Sequence, residues 1–179
     1  MLVRFIAAAA AVLALSAPAL ADTGNLQTFR DVQRQVLGYP HFTIFDNVNM
    51  QVSDGIVTLS GDVTMPYKKT DLEKRVAKLP DVKQVNNQLR VLPVSQFDDD
   101  LRLRIARAIY SNPTFAMYGS MVNPPIHVVV ANGHVTLEGV VISDLDKQVA
   151  RSIASQFPAF SVKNNLKTEA EVKQELERL

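Results

Sequence analysis

Side chains that could do covalent or metal chemistry are scarce in this sequence. It contains no cysteine and three histidines, His41, His127 and His134, so a thiol nucleophile is excluded and few groups could act as a general base. His127 and His134 fall on the two strands of a predicted hairpin, but no third metal ligand is spaced to join them. A metal-dependent hydrolase is therefore the weakest of our hypotheses, and we predict a protein that is not an enzyme and needs no metal or cofactor.

Two further motifs resemble ligand sites but fit structural roles better. The acidic run 98–100 lacks the alternating oxygen ligands and the glycine of a calcium loop. It suits the start of a helix, with Ser95 and Asp98 as a capping pair. Four glycines bracket strands and do not precede helices, so they do not form a phosphate-binding loop. These glycines, which we predict to serve turns and close packing, are Gly55, Gly61, Gly133 and Gly139.

The best candidate for binding is a predicted helix that begins near residue 98. At 100° per residue its side opposite the core carries Leu103, Arg107 and Tyr110, with Arg102 and Arg104 on the flanks. An apolar stripe fringed by arginines fits an interfacial helix that contacts anionic phospholipid. It fits packing against the first half of the chain equally well.

A second candidate surface follows that helix, in an insertion that runs from Met117 to Pro125. We predict a loop here that exposes Met117, Tyr118 and Met121 as an adaptable contact surface. The alternative is a loop that folds back over the edge of the sheet.

The elements that position these residues come from an internal repeat. The segment Val48–Gly61, VNMQVSDGIVTLSG, recurs 78 residues later as Ile126–Gly139, IHVVVANGHVTLEG. Further along the chain, VNNQL at Val85–Leu89 corresponds to VKNNL at Val162–Leu166. A match at so many positions indicates a duplication of one module.

Each copy has the pattern helix, strand, strand, helix, strand. Alternating apolar residues around an Asp-Gly or Asn-Gly turn predict a hairpin in each copy. The second helix of each copy is predicted from one apolar stripe. The stripes are Leu72, Val76 and Leu79 in the first copy, and Leu145, Val149, Ile153 and Phe157 in the second. The predicted fold class is α+β, with two tandem αββαβ modules, each a small three-stranded sheet with two helices on one face.

The ends of the chain suggest export. Residues 1–21 have an apolar stretch and the small-x-small site Ala19–Ala21, which predict a signal peptide cleaved after Ala21. We expect modules at 22–94 and 95–168, in contact with each other, and a short helix at 169–179. The mature chain should lack a transmembrane segment. The full sequence has 19 Lys and Arg against 18 Asp and Glu, and removal of Arg4 with the signal peptide would balance the charges, which does not favour nucleic acid as a partner.

The repeated segments Gly55–Gly61 and Gly133–Gly139, each followed by an amphipathic helix and a Val-x-Asn-Asn or Val-Asn-Asn run, resemble the BON domain (bacterial OsmY and nodulation). The resemblance covers about Phe29 to Lys167. It implies a periplasmic envelope protein without catalytic activity, associated with osmotic or envelope stress and with phospholipid membranes. Several membrane-attached relatives carry a lipidated cysteine, which this sequence lacks.

These observations lead to two main hypotheses about function. The first is a non-enzymatic periplasmic protein, soluble or peripherally attached to the membrane, that binds anionic phospholipid through the second-module helix. The second is an adaptor or stress-protective scaffold that binds another envelope protein through residues 117–125 and an exposed sheet edge.

Overall fold

The computed structural model describes the backbone of residues 17–176 and the side chains of residues 24–174. Residues 1–16 of the predicted signal peptide and residues 177–179 of the predicted C-terminal helix lie outside the described part of the chain. No helix among the described residues is long and apolar enough to cross a membrane.

The first module contains two helices and a three-stranded sheet. Its elements are α1 (Ala17–Leu37), β1 (Asn47–Ser53), β2 (Ile56–Val63), α2 (Pro66–Val76) and β3 (Gln84–Val91). The sheet has the order β1-β2-β3, with β1 antiparallel to β2 and β3 parallel to it.

The second module repeats this plan with additions. Its elements are α3 (Gln96–Tyr110), a 3₁₀ turn (Pro113–Phe115), α4 (Ala116–Gly119), β4 (Ile126–Ala131), β5 (His134–Val141), α5 (Asp144–Ala154), β6 (Ser161–Asn164), β7 (Lys167–Thr168) and α6 (Glu169–Leu176). The central strand β5 pairs with β4 on one side and with β6 and β7 on the other. The predicted α+β class with two αββαβ modules is confirmed.

Each module has its own apolar core between its sheet and its helices. In the first, Val32 and Val36 of α1 are buried with Leu72 and Val76 of α2. In the second, the buried residues of α5 are Ala150, Ile153 and Ala154. Leu145 is 64% exposed, so its place in the predicted core stripe of α5 is wrong, whereas Val149, Ile153 and Phe157 of the same stripe do pack at the core.

Glycines allow both hairpins to form and to pack closely. Each hairpin turn has two residues with positive φ, Asp54 and Gly55 in one and Asn132 and Gly133 in the other, as a type I′ turn requires. Within β5, Gly139 has φ of 120°, and a Cβ there would stand 1.8 Å from the carbonyl oxygen of Pro125. Its counterpart Gly61 is equally restricted, because a Cβ there would stand 2.3 Å from the Asn47 carbonyl oxygen.

One asparagine in each copy explains why the runs VNNQL and VKNNL recur. The Asn87 side chain accepts from the Leu89 N–H at 3.2 Å and donates to the Lys69 carbonyl of α2 at 2.9 Å. Asn164 makes the same pair of bonds, to the Leu166 N–H and the Lys147 carbonyl. The repeated asparagine therefore ties the last strand of each module to the preceding helix.

The two modules contact each other along a seam between residues 42–46 and β4. The Ile44 carbonyl accepts from the Val128 N–H at 2.7 Å, and the Ile44 and Phe45 side chains pack against the core of the second module. The His127 ring lies 5.4 Å from that of Phe42. The expected contact between the copies is present, and it does not involve the exposed side of α3.

A buried ion pair supports the seam from within the first module. Lys68 Nζ lies 2.7 Å from Asp46 Oδ2, and their side chains are 5% and 0% exposed. The other hydrogen bonds of this carboxylate come from the backbone and side chains of Thr43 and Thr64. Burial raises the pKa of Asp46, but the hydrogen bonds and the charge of Lys68 outweigh it, so the pKa lies below its ordinary value.

Candidate functional site

Helix α3 is held firmly at its first turn. The Ser95 hydroxyl accepts from the Asp98 N–H at 3.2 Å, which confirms Ser95 as the cap. The Asp98 carboxylate is fully buried and accepts from the N–H groups of Asn132 and Gly133 at 2.8 and 2.7 Å. Asp98 thus fixes the helix to the hairpin turn of β4 and β5, so the orientation of α3 on the module is well defined.

The side of α3 away from the core is open to solvent. Leu103 is 49% exposed, and Arg104 and Arg107 are exposed beside it. Within the described part of the chain neither arginine forms a salt bridge. The Arg104 guanidinium lies 5.4 Å from the centre of the Phe157 ring, which holds it against the module surface. This face therefore presents Leu103 beside two cations that form no salt bridge among the described residues, with the exposed Asp99 and Asp100 one helical turn before them.

Two residues that we predicted on this side of α3 point elsewhere. Tyr110 is half-buried, and its hydroxyl donates to the Ile126 carbonyl at 2.6 Å and accepts from the Ile126 N–H at 3.0 Å. Burial raises its pKa above the ordinary range. Arg102, expected on a flank, is 6% exposed and donates to the Val130 carbonyl. Both side chains close the outer edge of β4, so the prediction that they are available on the surface is wrong.

The structure adds two aromatic residues that the sequence analysis missed. Phe97 on α3 is 49% exposed and Phe160 before β6 is 77% exposed. A Cβ added to Gly133 would stand 2.7 Å from the Phe160 ring and 3.4 Å from the Phe97 ring, so the two rings lie together over the hairpin turn. A signal existed for Phe97, which lies outside the buried stripe of α3, but none existed for Phe160. We call Phe97, Leu103, Arg104, Arg107 and Phe160 the α3 surface.

The predicted loop at residues 117–125 is partly helical and only partly exposed. Met117 and Met121 are 54% and 43% exposed. Tyr118 is 4% exposed; its hydroxyl donates to Asp146 Oδ2 at 2.8 Å and accepts from the Ile142 N–H at 2.9 Å. The expectation that Tyr118 lies on an exposed loop is wrong, because this hydroxyl fastens α4 to the start of α5.

The two histidines considered for a metal site are far apart. His127 is paired with Glu138 across the hairpin, whereas His134 is paired with Ala131, four positions or roughly 13 Å along the strands. His134 is hydrogen-bonded to Ser161 Oγ. Among the described residues no group of three or more His, Asp or Glu side chains could hold a metal ion. The geometry therefore removes the basis for the hydrolase hypothesis.

The titratable groups of the seam serve packing. His127 Nδ1 lies 2.6 Å from the Asp46 carbonyl oxygen, to which it donates, and burial lowers the pKa of His127. Burial also raises the pKa of Glu138, whose carboxylate accepts from Asn165 at 2.7 Å. A cleft of about 390 Å³ beside them is lined by both modules. At this cleft His127 bonds to a backbone carbonyl and Glu138 to an amide, so these two groups do not form a nucleophile and base pair.

The comparison with protein families agrees with the duplicated architecture. The model of the BON domain matches residues 29–93 and 98–177, one match for each module. The chain belongs to the BON domain family. BON domains are known for binding membranes and phospholipids and occur in envelope proteins, and the family is generally non-catalytic.

Solved structures that resemble this BON protein include two with low sequence identity. Two solved structures of CdsD, a structural protein of the type III secretion system of Chlamydia trachomatis, are each 15% identical to it. One match covers 86% of this chain and 99% of the CdsD chain with a TM-score of 0.29. The other, to the C-terminal domain, covers 78% and 96% with a TM-score of 0.28. A comparison with curated proteins gives no match.

Proposed function

We propose that this BON protein binds the surface of anionic phospholipid membranes through the α3 surface. The observation that carries the proposal is the exposure of Leu103 on the same side of α3 as Arg104 and Arg107, neither of which forms a salt bridge in the described part of the chain. An apolar residue can enter the headgroup region while the guanidinium groups bind lipid phosphate. The proposed setting is the periplasmic face of the cell envelope, in envelope integrity or osmotic stress.

The position of the seam supports this assignment. The first module contacts β4 through residues 42–46, so module packing leaves the exposed side of α3 accessible. The capping of α3 and its bond to the hairpin turn keep the surface preorganised, which lowers the entropy lost on binding. Phe97 and Phe160 add exposed aromatic rings at the N-terminal end of α3, and aromatic rings favour the membrane interface.

The first module provides a matched control for the charge of α3. The duplication places Arg30 and Arg34 of α1 where the second module has Leu103 and Arg107. Although α1 also exposes Leu26 and Leu37 near these arginines, Arg34 forms a salt bridge with Asp31, which offsets one of the two positive charges. We therefore expect little lipid binding by α1, although the number of arginines is the same.

The test is co-sedimentation of the protein with vesicles of phosphatidylcholine alone or with phosphatidylglycerol added. Each arginine near an anionic surface contributes about 1 kcal/mol, so Arg104→Glu/Arg107→Glu should weaken binding by at least about thirtyfold. Leu103→Ser should weaken vesicle binding by a smaller factor, because it removes one apolar side chain that would enter the headgroup region.

The control is Arg30→Glu/Arg34→Glu, which changes the net charge by the same amount on α1. This variant should retain most of the wild-type binding. Equal losses in the two double variants, or equal binding of the wild type to both kinds of vesicle, would show that the α3 surface is not a specific lipid site.

A further inference from the structure

The strands β1 and β4 occupy the same edge position in the two sheets, but only β4 has its outward backbone groups bonded. The Tyr110 hydroxyl bonds to both the N–H and the carbonyl of Ile126. Arg102 donates to the Val130 carbonyl at 3.1 Å. Between these positions the Val128 N–H donates to a carbonyl of the first module at 2.7 Å. Side chains of α3 and the seam therefore close the β4 edge.

The same positions of β1 have no such partners. The two hairpins have the same register, so the residues of β1 whose backbone groups point away from β2 are Val48, Met50 and Val52. In the described part of the chain no strand pairs with this side of β1. No hydrogen bond between described residues reaches the outward groups of these three residues. The β1 edge is therefore open.

The difference between the edges comes from two substitutions within the repeat. The Arg102 position of α3 is Phe29 in α1. The Tyr110 position is Leu37, which is 37% exposed. Neither hydrocarbon side chain can bond to a backbone group, so α1 cannot close the edge of β1 as α3 closes that of β4.

The strand β1 also lacks the features that commonly protect an exposed edge. Natural edge strands are often blocked by lysine, proline or a bulge, whereas β1 has the sequence NVNMQVS and pairs with β2 without interruption. Its apolar side chains pack on the core face, and Asn49 and Gln51 are exposed on the other face. One further strand can therefore extend this sheet without meeting a charge on β1.

A cleft borders the first half of this edge. It has a volume of about 390 Å³, and the residues that line it include Val48 and Met50 of β1, Leu37 of α1, and Pro125 and His127 of the second module. A chain that lies along β1 would enter the cleft and bury apolar side chains against Leu37 and Met50.

The chemistry of the edge determines its occupant. N–H and carbonyl groups that alternate along a straight edge match the backbone of another strand, and neither a lipid headgroup nor a helix presents both groups at this spacing. A symmetric second copy would bring its own α1 and second module to the walls of the cleft. A single extended segment adds only one strand.

From this edge we infer that β1 binds an extended segment of a partner protein, which pairs antiparallel to it and adds a strand to the first module's sheet. The antiparallel arrangement is the more stable one. Residues of the segment that lie opposite Val48, Met50 and Val52 face the core side and should be apolar, and the alternate residues should be polar. The site lies on the first module, whereas the α3 surface lies on the second, so this inference does not depend on membrane binding.

The experiment measures the binding of a labelled peptide to the whole protein by fluorescence anisotropy. The peptide has blocked ends, is as long as β1 and alternates valine with threonine. Its valines should lie opposite the apolar residues of β1 with their N–H groups directed at the edge, while the threonine N–H groups point away. N-methylation of the valine nitrogens should therefore weaken binding at least about tenfold, whereas N-methylation of the threonine nitrogens should leave it nearly unchanged.

Variants of the protein that close the edge test the same inference from the other side. Phe29→Arg/Leu37→Tyr introduces on α1 the two side chains that cover β4, and it should weaken peptide binding about tenfold. Leu37→Tyr alone, at an exposed position outside the core, should weaken it severalfold. The matched control is Leu26→Tyr, which makes the same change at another exposed leucine of α1 and should leave the affinity unchanged.

Three results would contradict the inference. Equal weakening by the two sets of N-methyl groups would show that the peptide does not pair with β1 as a strand. Equal weakening in Leu37→Tyr and Leu26→Tyr would show that the peptide binds away from the edge. Self-association of the protein in sedimentation that the peptide reverses would identify a second copy as the occupant in place of a partner protein.

Discussion

The buried ion pair between Lys68 and Asp46 provides a quantitative test of how the first module is stabilised. The substitution Lys68→Met keeps most of the apolar stem and removes the ammonium group, whose Nζ lies 2.7 Å from Asp46 Oδ2 and 2.7 Å from Thr64 Oγ1. The Asp46 carboxylate would then remain charged in a site from which water is excluded. Its bonds from Thr43 and Thr64 would persist.

The expected loss can be estimated from the burial of the pair. Removing one member of a buried ion pair costs about 3 to 5 kcal/mol, because the remaining charge is desolvated without compensation. The hydrogen bonds from the two threonines compensate in part, so we expect about 3 kcal/mol. This is a large fraction of the stability of an ordinary domain.

The assay is urea denaturation followed by circular dichroism at several pH values. The pKa of Asp46 is lowered in the folded state, so the ionised group stabilises the fold above its unfolded pKa of about 3.9 and this contribution is lost as the pH falls further. The difference in the free energy of unfolding between wild type and Lys68→Met should therefore be largest at neutral pH and should become smaller below about pH 4.

The control is an ion pair exposed to solvent. Arg90 and Asp62 lie 2.9 Å apart, but the arginine side chain is 76% exposed, so Arg90→Met should cost less than about 1 kcal/mol. A similarly small loss in Lys68→Met would refute the argument from burial. A difference that persists unchanged into strong acid would refute the assignment to the Asp46 charge.

Two further predictions concern close packing and the seam. Gly139→Ala places a Cβ 1.8 Å from a backbone carbonyl oxygen at a φ of 120°, so thermal denaturation should show a loss of at least about 2 kcal/mol. Gly24→Ala, where nothing lies within 4 Å, should be neutral or slightly stabilising. The pKa of His127 is lower in the folded protein than in the unfolded chain. Neutral His127 therefore contributes fully to the stability of the fold above its unfolded pKa of about 6.5, and this contribution is lost as the pH falls toward the folded pKa. His127→Gln should flatten stability against pH in that window; an unchanged profile would show that His127 does not titrate with unfolding.

The sequence was sufficient for the fold because the repeat and its turn chemistry are local signals. Asp54-Gly55 and Asn132-Gly133 predict tight hairpins, and the structure has positive φ at all four residues. Ser95 was identified as a helix cap from its spacing to Asp98, and the bond between them is present. Such features depend on neighbours within a few residues in the chain, which the sequence displays directly.

The incorrect predictions concern side chains whose positions depend on contacts with residues that are distant in the chain. In α5, the predicted stripe included Leu145, but the structure buries Ala150 and Ala154 and leaves Leu145 exposed, which depends on how closely the helix approaches its neighbours. Small residues permit a close approach, while a large apolar residue near the helix start can remain outside. Tyr118 was expected in the open for a similar reason, since its partners Ile142 and Asp146 are far along the chain.

The α3 helix shows the same division between local pattern and tertiary contact. From the sequence, its amphipathic period determined the buried stripe and the outward direction of Leu103 and Arg107. It could not determine the positions of two side chains, Arg102 on a flank of the helix and Tyr110 at the end of its predicted outer stripe. The tertiary structure places the edge strand β4 beside them, and its backbone groups at Ile126 and Val130 take both side chains. Backbone groups at a sheet edge need hydrogen-bond partners, and a periodic pattern carries no information about which edge lies next to a helix.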